Sequence, residues 1–230
     1  MLGEFATRTT DGEPLGQAVR AMLSERLMAG AYAPGDKLSL RSLAAAFGVS
    51  MMPVREAVSR LVADGALEVT PNRALRVPVL DVARFRELTA LRIEVEGLAA
   101  AWSAERRVEA NLAAIAEAEA GFRVERARPA PDLALTVAIN QKLHFAIYRA
   151  ARSPMLVEII TGLWLKAGPI LNLDMATNPA RVSSGTGERY HTAALAAIRA
   201  RDPAGARDAI AGDIAQACDY IISLGRLPSN

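Results

Sequence analysis

The chain of 230 residues contains two histidines, and both fall on helix-like patterns that are otherwise apolar. His144 follows Asn140 by four positions, so the two side chains share one helix face. His191 belongs to a stripe with Ala194, Leu195 and Ile198, spaced as an inward-facing helix surface. Asp213 interrupts a third stripe, made of Ala206, Ala209, Ile210 and Ala217. A carboxylate on an apolar face must be paired, ligated or open to a cavity, because burying it uncompensated is costly. Three polar interruptions on three apolar faces therefore suggest a polar site inside a helical bundle. Taken singly, each also fits ordinary core structure: a hydrogen-bonded histidine, or Asp213 paired with a core-facing arginine such as Arg92.

A second group of residues has the chemistry to read nucleic acid. Leu40, Leu43, Ala44 and Phe47 point one short helix toward a core. Gly48 permits a sharp turn and Val49 plugs the space between helices. Val54, Ala57, Val58 and Leu61 then recur at spacings of three and four. That leaves Met51, Met52, Arg55, Ser59 and part of Arg60 exposed near the start of the second helix. A helix entering the major groove by its N-terminal end would direct them at base edges and phosphates. Asn72 and Arg73 sit at the tip of a following hairpin, the shape of a wing. On spacing alone, the same pattern also fits a small helical domain with merely solvated arginines.

The elements that position these groups follow from apolar period and punctuation. Residues 1–13 read as a polar arm. A helix runs from Pro14 to Gly30, Ala33–Asp36 forms a turn, Ser39 and Ser50 cap two helices, and Gly65 stops the second. Ala66–Thr70 and Leu75–Val79 read as a hairpin. From Asp81 onward the pattern predicts only helices, at about 81–104, 106–127, 131–151, 153–166, 186–201 and 203–225, with the longest loop over Asn172–Gly187. The expected organisation is an arm (1–13), a DNA-reading domain (14–79) and an all-helical domain (81–226).

Composition sets the limits. Apolar residues make up 51%, charged residues 23% and aromatics 5%, which favours helices and leaves ample material for a core. The net charge of +2 is spread out: residues 1–80 hold nine Lys/Arg against eight Asp/Glu, the rest eighteen against seventeen. Charge alone does not announce a nucleic-acid binder. Cys218 is the single cysteine, so no intrachain disulfide forms and a reducing, cytoplasmic setting is expected. Met1–Pro14 lacks the apolar core of a signal peptide. Ile159–Leu173 is interrupted by Lys166, Gly168 and Pro169 and reads as too short for a membrane span. Gly185-Thr186-Gly187 follows no strand, which argues against a phosphate loop. No nucleophile triad is legible, and Cys218, Trp102 and Trp164 read as packing residues.

The run from about Leu15 to Val79 resembles the winged-helix domain of GntR-type bacterial regulators. The matches are Pro34-Gly35 with Leu38, Leu43-Ala44, Gly48-Val49-Ser50, Pro53-Val54-Arg55-Glu56-Ala57 and Arg60-Leu61 before Gly65. The resemblance places DNA contacts on Arg41, Ser50, Arg55, Asn72 and Arg73. Met51-Met52 replaces a common Arg-Thr pair, exchanging a polar contact for apolar reach suited to a thymine methyl. Ala74 stands where the wing tip usually has Gly.

Residues from about Asp81 to Leu224 resemble the FCD effector domain of the FadR-like subgroup. This rests on Leu91-Arg92, Glu96 and Leu98-Ala99-Ala100, on the His144 region, and on His191 with the helix bearing Asp213. The implied fold is mainly α: an N-terminal winged helix-turn-helix domain plus a C-terminal all-α antiparallel helical bundle. Many FCD members bind a divalent metal through an Asp and three His, and those positions fall on Asn140, His144, His191 and Asp213. Two of the four residue types differ, though one carboxylate is retained. The implied cofactor is one divalent ion (Mn, Zn or Ni), with a metal-free polar pocket as the alternative. Arg92, His144 and His191 are the implied contacts for a small carboxylate effector; Arg92 equally suits a salt bridge to Glu96. The expected function is a ligand-responsive, homodimeric repressor of a metabolic operon acting on double-stranded operator DNA. The competing readings are a metal-dependent enzyme in the helical half and a constitutive DNA binder.

Overall fold

The computed structural model describes residues 14–177 and 186–229, so the expected arm over 1–13 lies outside the described residues. The N-terminal part contains α1 (Leu15–Met28), β1 (Lys37–Leu38), α2 (Leu40–Phe47), α3 (Met51–Ala63), β2 (Glu68–Val69) and β3 (Leu75–Arg76). The remainder is helical: α4 (Val82–Arg106), α5 (Glu109–Arg126), α6 (Leu133–Ala150), α7 (Pro154–Thr177), α8 (Thr186–Ala200) and α9 (Pro203–Ser223).

Short polar side chains fix where these helices begin. Ser39 accepts the Ser42 N–H at 3.0 Å and starts α2. Asp81, Asp132 and Asp202 do the same for α4, α6 and α9, accepting from Arg84, Leu135 and Gly205. Gly48, at φ 67°, closes α2 in the left-handed conformation and frees the chain to turn into α3. Ser50 occupies the cap position of α3, but its side chain makes no capping bond, contrary to the sequence expectation.

Val19, Leu23 and Leu27 of α1, Leu43 and Phe47 of α2, and Val54, Ala57, Val58 and Leu61 of α3 are buried together. Full burial of each larger side chain contributes about 1.5–3 kcal/mol. The small sheet has the antiparallel order β1-β3-β2. Lys37 pairs with Arg76 and Leu38 with Leu75, while Glu68 and Val69 face the same two residues from the other side. The expected hairpin is therefore the outer part of a three-stranded sheet. Two residues of β1 are too few to show a period of two. The N–H groups of Ala66 and Leu67 return to the Leu61 carbonyl rather than joining the ladder.

In the helical part, α4 is central: α9 and α6 to α8 pack on it, with α5 against α6. The largest departure from expectation is α7, which continues through Pro169 to Thr177 instead of ending near 166. Asn172 and Asp174 are thus helical. Proline lacks the N–H for one helical bond, yet Leu165, Ala167, Pro169 and Ile170 are all buried, and packing holds the helix. By length and composition Pro154–Asn172 would suffice to cross a membrane, with mean hydropathy 1.3, contrary to the expectation that it is too short. Here its inward face is core, with Trp164, Leu165 and Ile170 buried among the neighbouring helices.

This helix also meets the N-terminal part. A Cβ on Gly168 would lie 2.6 Å from Met28 Cα and 2.7 Å from its carbonyl oxygen, so only glycine allows so close an approach. One turn on, the Asn172 amide donates to the Met28 carbonyl. Gly168→Ala is expected to lower the stability of the chain by about 1–3 kcal/mol through overpacking. Gly162→Ala in the same helix, where a Cβ meets nothing within 4 Å, should be neutral or stabilising. Thermal denaturation of the two variants checks this; equal melting temperatures would refute the close-packing argument.

Candidate functional site

The helical part is organised around a buried carboxylate. Glu96 on α4 is fully buried and accepts Arg92 Nε at 2.6 Å, Arg92 Nη2 at 3.3 Å, Trp164 Nε1 at 3.0 Å and the Tyr148 hydroxyl. Burial disfavours the Arg92 charge, but Glu96 overrides this and holds the guanidinium above its ordinary pKa. Burial and the adjacent Glu96 charge push the Tyr148 phenol well above its usual range, so it keeps its proton. That proton goes to Glu96, which as a carboxylate only accepts.

The tautomer of His144 follows. Its Nδ1 lies 2.9 Å from the Tyr148 oxygen. With the phenolic proton committed to Glu96, Nδ1–H must be the donor in this contact. His144 Nε2 faces Asp213 Oδ2 at 3.3 Å. His191 Nε2 lies 3.8 Å from Asp213 Oδ1. The imidazole rings are 5.2 Å apart at 84°, with Phe122 edge-on to His191 at 4.7 Å. Burial lowers the His191 pKa to about 4, against the opposing pull of Asp213, so the ring is neutral at pH 7. His191 is 2% exposed, and among the described residues neither of its ring nitrogens has a hydrogen-bond partner.

The ligand atoms of His144, His191 and Asp213 lie within 4.8 Å of one another. They border a cavity of about 60 Å³ that Arg92, Asn140 and Asn172 also line. All four residues singled out from the sequence, together with Arg92, therefore meet in one place. Two imidazoles, a carboxylate and a carboxamide oxygen form a donor set suited to a divalent ion. An imidazole nitrogen this close to a carboxylate oxygen calls for a cation between them, a proton or a metal ion. The donor set therefore fits a metal. The Tyr148 contact is the kind of outer hydrogen bond that orients ligating histidines.

The second candidate surface lies on α3. Met51 and Met52 are 42% and 72% exposed, and Arg55 and Ser50 are exposed beside them. Met52, Arg55, Ser59 and Arg60 share a shallow groove with Pro14 and Leu15. Arg60 is paired with Glu56 at 2.8 Å. Among the described residues, Arg41, Arg55 and Arg73 make no ion pair, so their guanidinium groups remain available. Arg73 adopts the left-handed conformation at the wing tip, φ 62°, one position before Ala74. The Asn72 oxygen is engaged within the turn, accepting from Thr70 Oγ1 and, at 3.4 Å, from the Ala74 N–H. Asn72 shapes the tip that presents Arg73.

Comparison with known proteins fits this pairing of a helix-turn-helix with a helical cavity. Residues 15–77 match the bacterial regulatory proteins of the gntR family, and residues 87–216 match the FCD domain. The HTH-type transcriptional regulator McbR of Escherichia coli is 35% identical over 190 residues, covering 82% of this chain and 84% of McbR. The chain belongs to the GntR family of regulators. The solved E. coli McbR/YncC structure superposes with a TM-score of 0.84 at 31% identity, covering 93% of this chain and 100% of that one. A GntR regulator from Rhodococcus gives a TM-score of 0.71 at 22% identity, a likeness of fold, covering 93% of this chain and 99% of that one. The E. coli repressor RspR is 29% identical over 90 residues, 39% of this chain and 40% of RspR. The family consists of transcription regulators, not enzymes, which removes the enzyme reading. This chain joins the DNA-binding helix-turn-helix of that family to an FCD domain, the part that takes small-molecule effectors in such regulators.

Sequence reasoning missed two members of the network around the cavity. Tyr148 was not singled out, although it lies four residues after His144 on the same helix face, which was the available signal. Trp164 read as packing, but its indole N–H is a donor to Glu96. For the α3 surface, Arg55→Ala is expected to weaken operator binding at least tenfold at about 150 mM salt, the scale of one lost base or phosphate contact. Circular dichroism should remain unchanged. Wild-type affinity in that variant would show that α3 is not the reading helix.

Proposed function

We propose that this GntR-family regulator is a repressor that binds double-stranded operator DNA as a homodimer in the cytoplasm and responds to a small carboxylate through a divalent metal. The observation that carries the reading is the buried His191, with no hydrogen-bond partner among the described residues, beside His144 and Asp213 in a cavity of about 60 Å³. His144, His191 and Asp213 would hold the ion, with Asn140 as a fourth donor; manganese, zinc and nickel all suit nitrogen and oxygen ligands. When bound, the ion supplies a positive charge that attracts a carboxylate. Arg41, Ser50, Met51, Met52, Arg55 and the wing pair Asn72-Arg73 are the proposed DNA contacts, on a reading domain that ends near residues 79–81. Two-fold pairing suits operator geometry, because one short helix gives little discrimination alone. Repression is supported by the name of the relative RspR.

The response needs a path between cavity and reading helix, and Asn172 supports one. It borders the cavity and donates to the carbonyl of Met28 at the end of α1, and α1 packs on α3. A ligand that draws the Asn172 amide inward withdraws a bond from α1. Asn172→Leu is expected to retain metal binding and operator binding while losing most of the change in operator affinity on adding metal and carboxylate. An undiminished response would rule this path out.

The metal itself is tested with stripped protein. An ion that binds only the folded chain adds about 2.7 kcal/mol at a hundredfold excess over its dissociation constant. A rise of several degrees in melting temperature with manganese, zinc or nickel is therefore expected. His144→Ala and His191→Ala should each abolish it. Asp213→His should shift preference toward zinc or nickel, since an imidazole replaces an oxygen donor. No shift with any of the three ions, and no metal in purified protein by elemental analysis, would refute the metal reading.

A further inference from the structure

The cavity that holds the histidine–aspartate cluster also has an apolar wall. Phe122 and Trp164 are taken up by the imidazoles, Phe122 edge-on to His191 and Trp164 with its ring 5.4 Å from that of His144. The rest of the apolar lining is Leu171 and Met175 on α7 with Ile214 and Ala217 on α9, where the two helices meet. Leu171 and Met175 are four residues apart and share a face of α7. Asp213 and Ala217 share a face of α9 in the same way, so the apolar wall begins one turn beyond the carboxylate. Alanine at 217 leaves space that a larger side chain would take.

The charges around the cavity limit what it takes. Arg92 is neutralised by a bidentate pair with Glu96. Arg126, in the last turn of α5, and Glu188, in the first turn of α8, form an ion pair at the rim, with Nε donating to Glu188 Oε2 at 2.5 Å. Their side chains are 21% and 25% exposed. The pair is thus mostly shielded from water, and opening it would strand two poorly solvated charges. Among the described lining residues, the carboxylate outside these pairs is Asp213, which faces the two imidazoles. A divalent ion beside Asp213 leaves a surplus of one positive charge, which a single carboxylate neutralises. A second carboxylate would be carried against the apolar wall without a partner, a costly burial. A methylene there is favoured instead, by about fourfold in affinity for each one buried.

We propose that the cavity selects a short aliphatic monocarboxylate over a dicarboxylate. The carboxylate is directed to the His144–His191–Asp213 end, and the alkyl tail lies along Leu171, Met175, Ile214 and Ala217. This rests on the metal-assisted carboxylate reading above.

Zinc-loaded full-length protein titrated calorimetrically with acetate, butyrate, hexanoate and succinate tests it. Butyrate should bind about tenfold tighter than acetate, the scale of two buried methylenes. Succinate, which carries a carboxylate in place of the terminal methyl of butyrate, should bind at least about tenfold weaker than butyrate. Ala217→Leu, which fills the apolar end, should remove the gain from acetate to butyrate. Met175→Ala, which enlarges it, should raise hexanoate relative to butyrate by about fourfold or more. A zinc-dependent rise in melting temperature shows that the metal end of each variant is intact; where Ala217→Leu loses that rise, Met175→Ala decides alone. Succinate binding as tightly as butyrate overturns the inference, and so does a chain-length profile that neither variant alters. Butyrate binding no tighter than acetate refutes it and leaves the carboxylate reading intact. If none of the four acids binds the zinc-loaded protein, the carboxylate reading fails, and this inference with it.

Discussion

The helical half depends on burying one carboxylate, Glu96, with every acceptor direction answered. A lone buried carboxylate costs several kcal/mol, and only a full set of donors makes it tolerable. Here the set is Arg92, Tyr148 and Trp164, drawn from three helices, so the position of each helix is tied to the others. Arg92 is thereby held in place rather than left to range over the cavity. Tyr148 is oriented with its proton toward Glu96, and that choice passes to His144. A charge at the centre of the bundle thus sets which nitrogen of His144 points to its polar edge.

The cavity and the DNA-reading part share one helix. α7 contributes Trp164 to the carboxylate network and Asn172 to the cavity wall. It also places Gly168 and Asn172 on the backbone at the end of α1. The α1 residues Leu23 and Leu27 lie in the same apolar cluster as Val54 and Leu61 of α3. On the proposed reading, a displacement of α7 by a ligand would reach the base of the reading helix through packed backbone. The glycine contact leaves no slack to absorb it.

Much of this was legible in the sequence. The α2–α3 pair followed from apolar spacing and Gly48, and His144, His191 and Asp213 from their odd positions on apolar stripes, with Asn140 joining them through the family resemblance. What escaped notice did so for identifiable reasons. β1 is two residues long and forms only because β3 offers it a partner. α7 passes Pro169 because the tertiary core outweighs one missing helical bond. The Arg126–Glu188 pair spans 62 positions, and nothing local links its members. Trp164 was misjudged because an indole reads as bulk until a buried acceptor is placed beside it. Local patterns revealed faces and breaks; long-range partners required the fold.

The central claim is that the Glu96 network keeps a proton on His144 Nδ1 and turns Nε2 toward Asp213. Two histidines in the whole chain make this directly measurable by nitrogen-15 NMR of the metal-free protein labelled at the imidazoles, at neutral pH. The account predicts a ring in the Nδ1–H form for His144, with an Nε2 resonance that moves on addition of zinc while Nδ1 keeps its proton. It also predicts loss of that fixed tautomer in Tyr148→Phe. A His144 ring protonated on Nε2 and not on Nδ1 in the wild-type protein, unchanged by the loss of the Tyr148 hydroxyl, would contradict it.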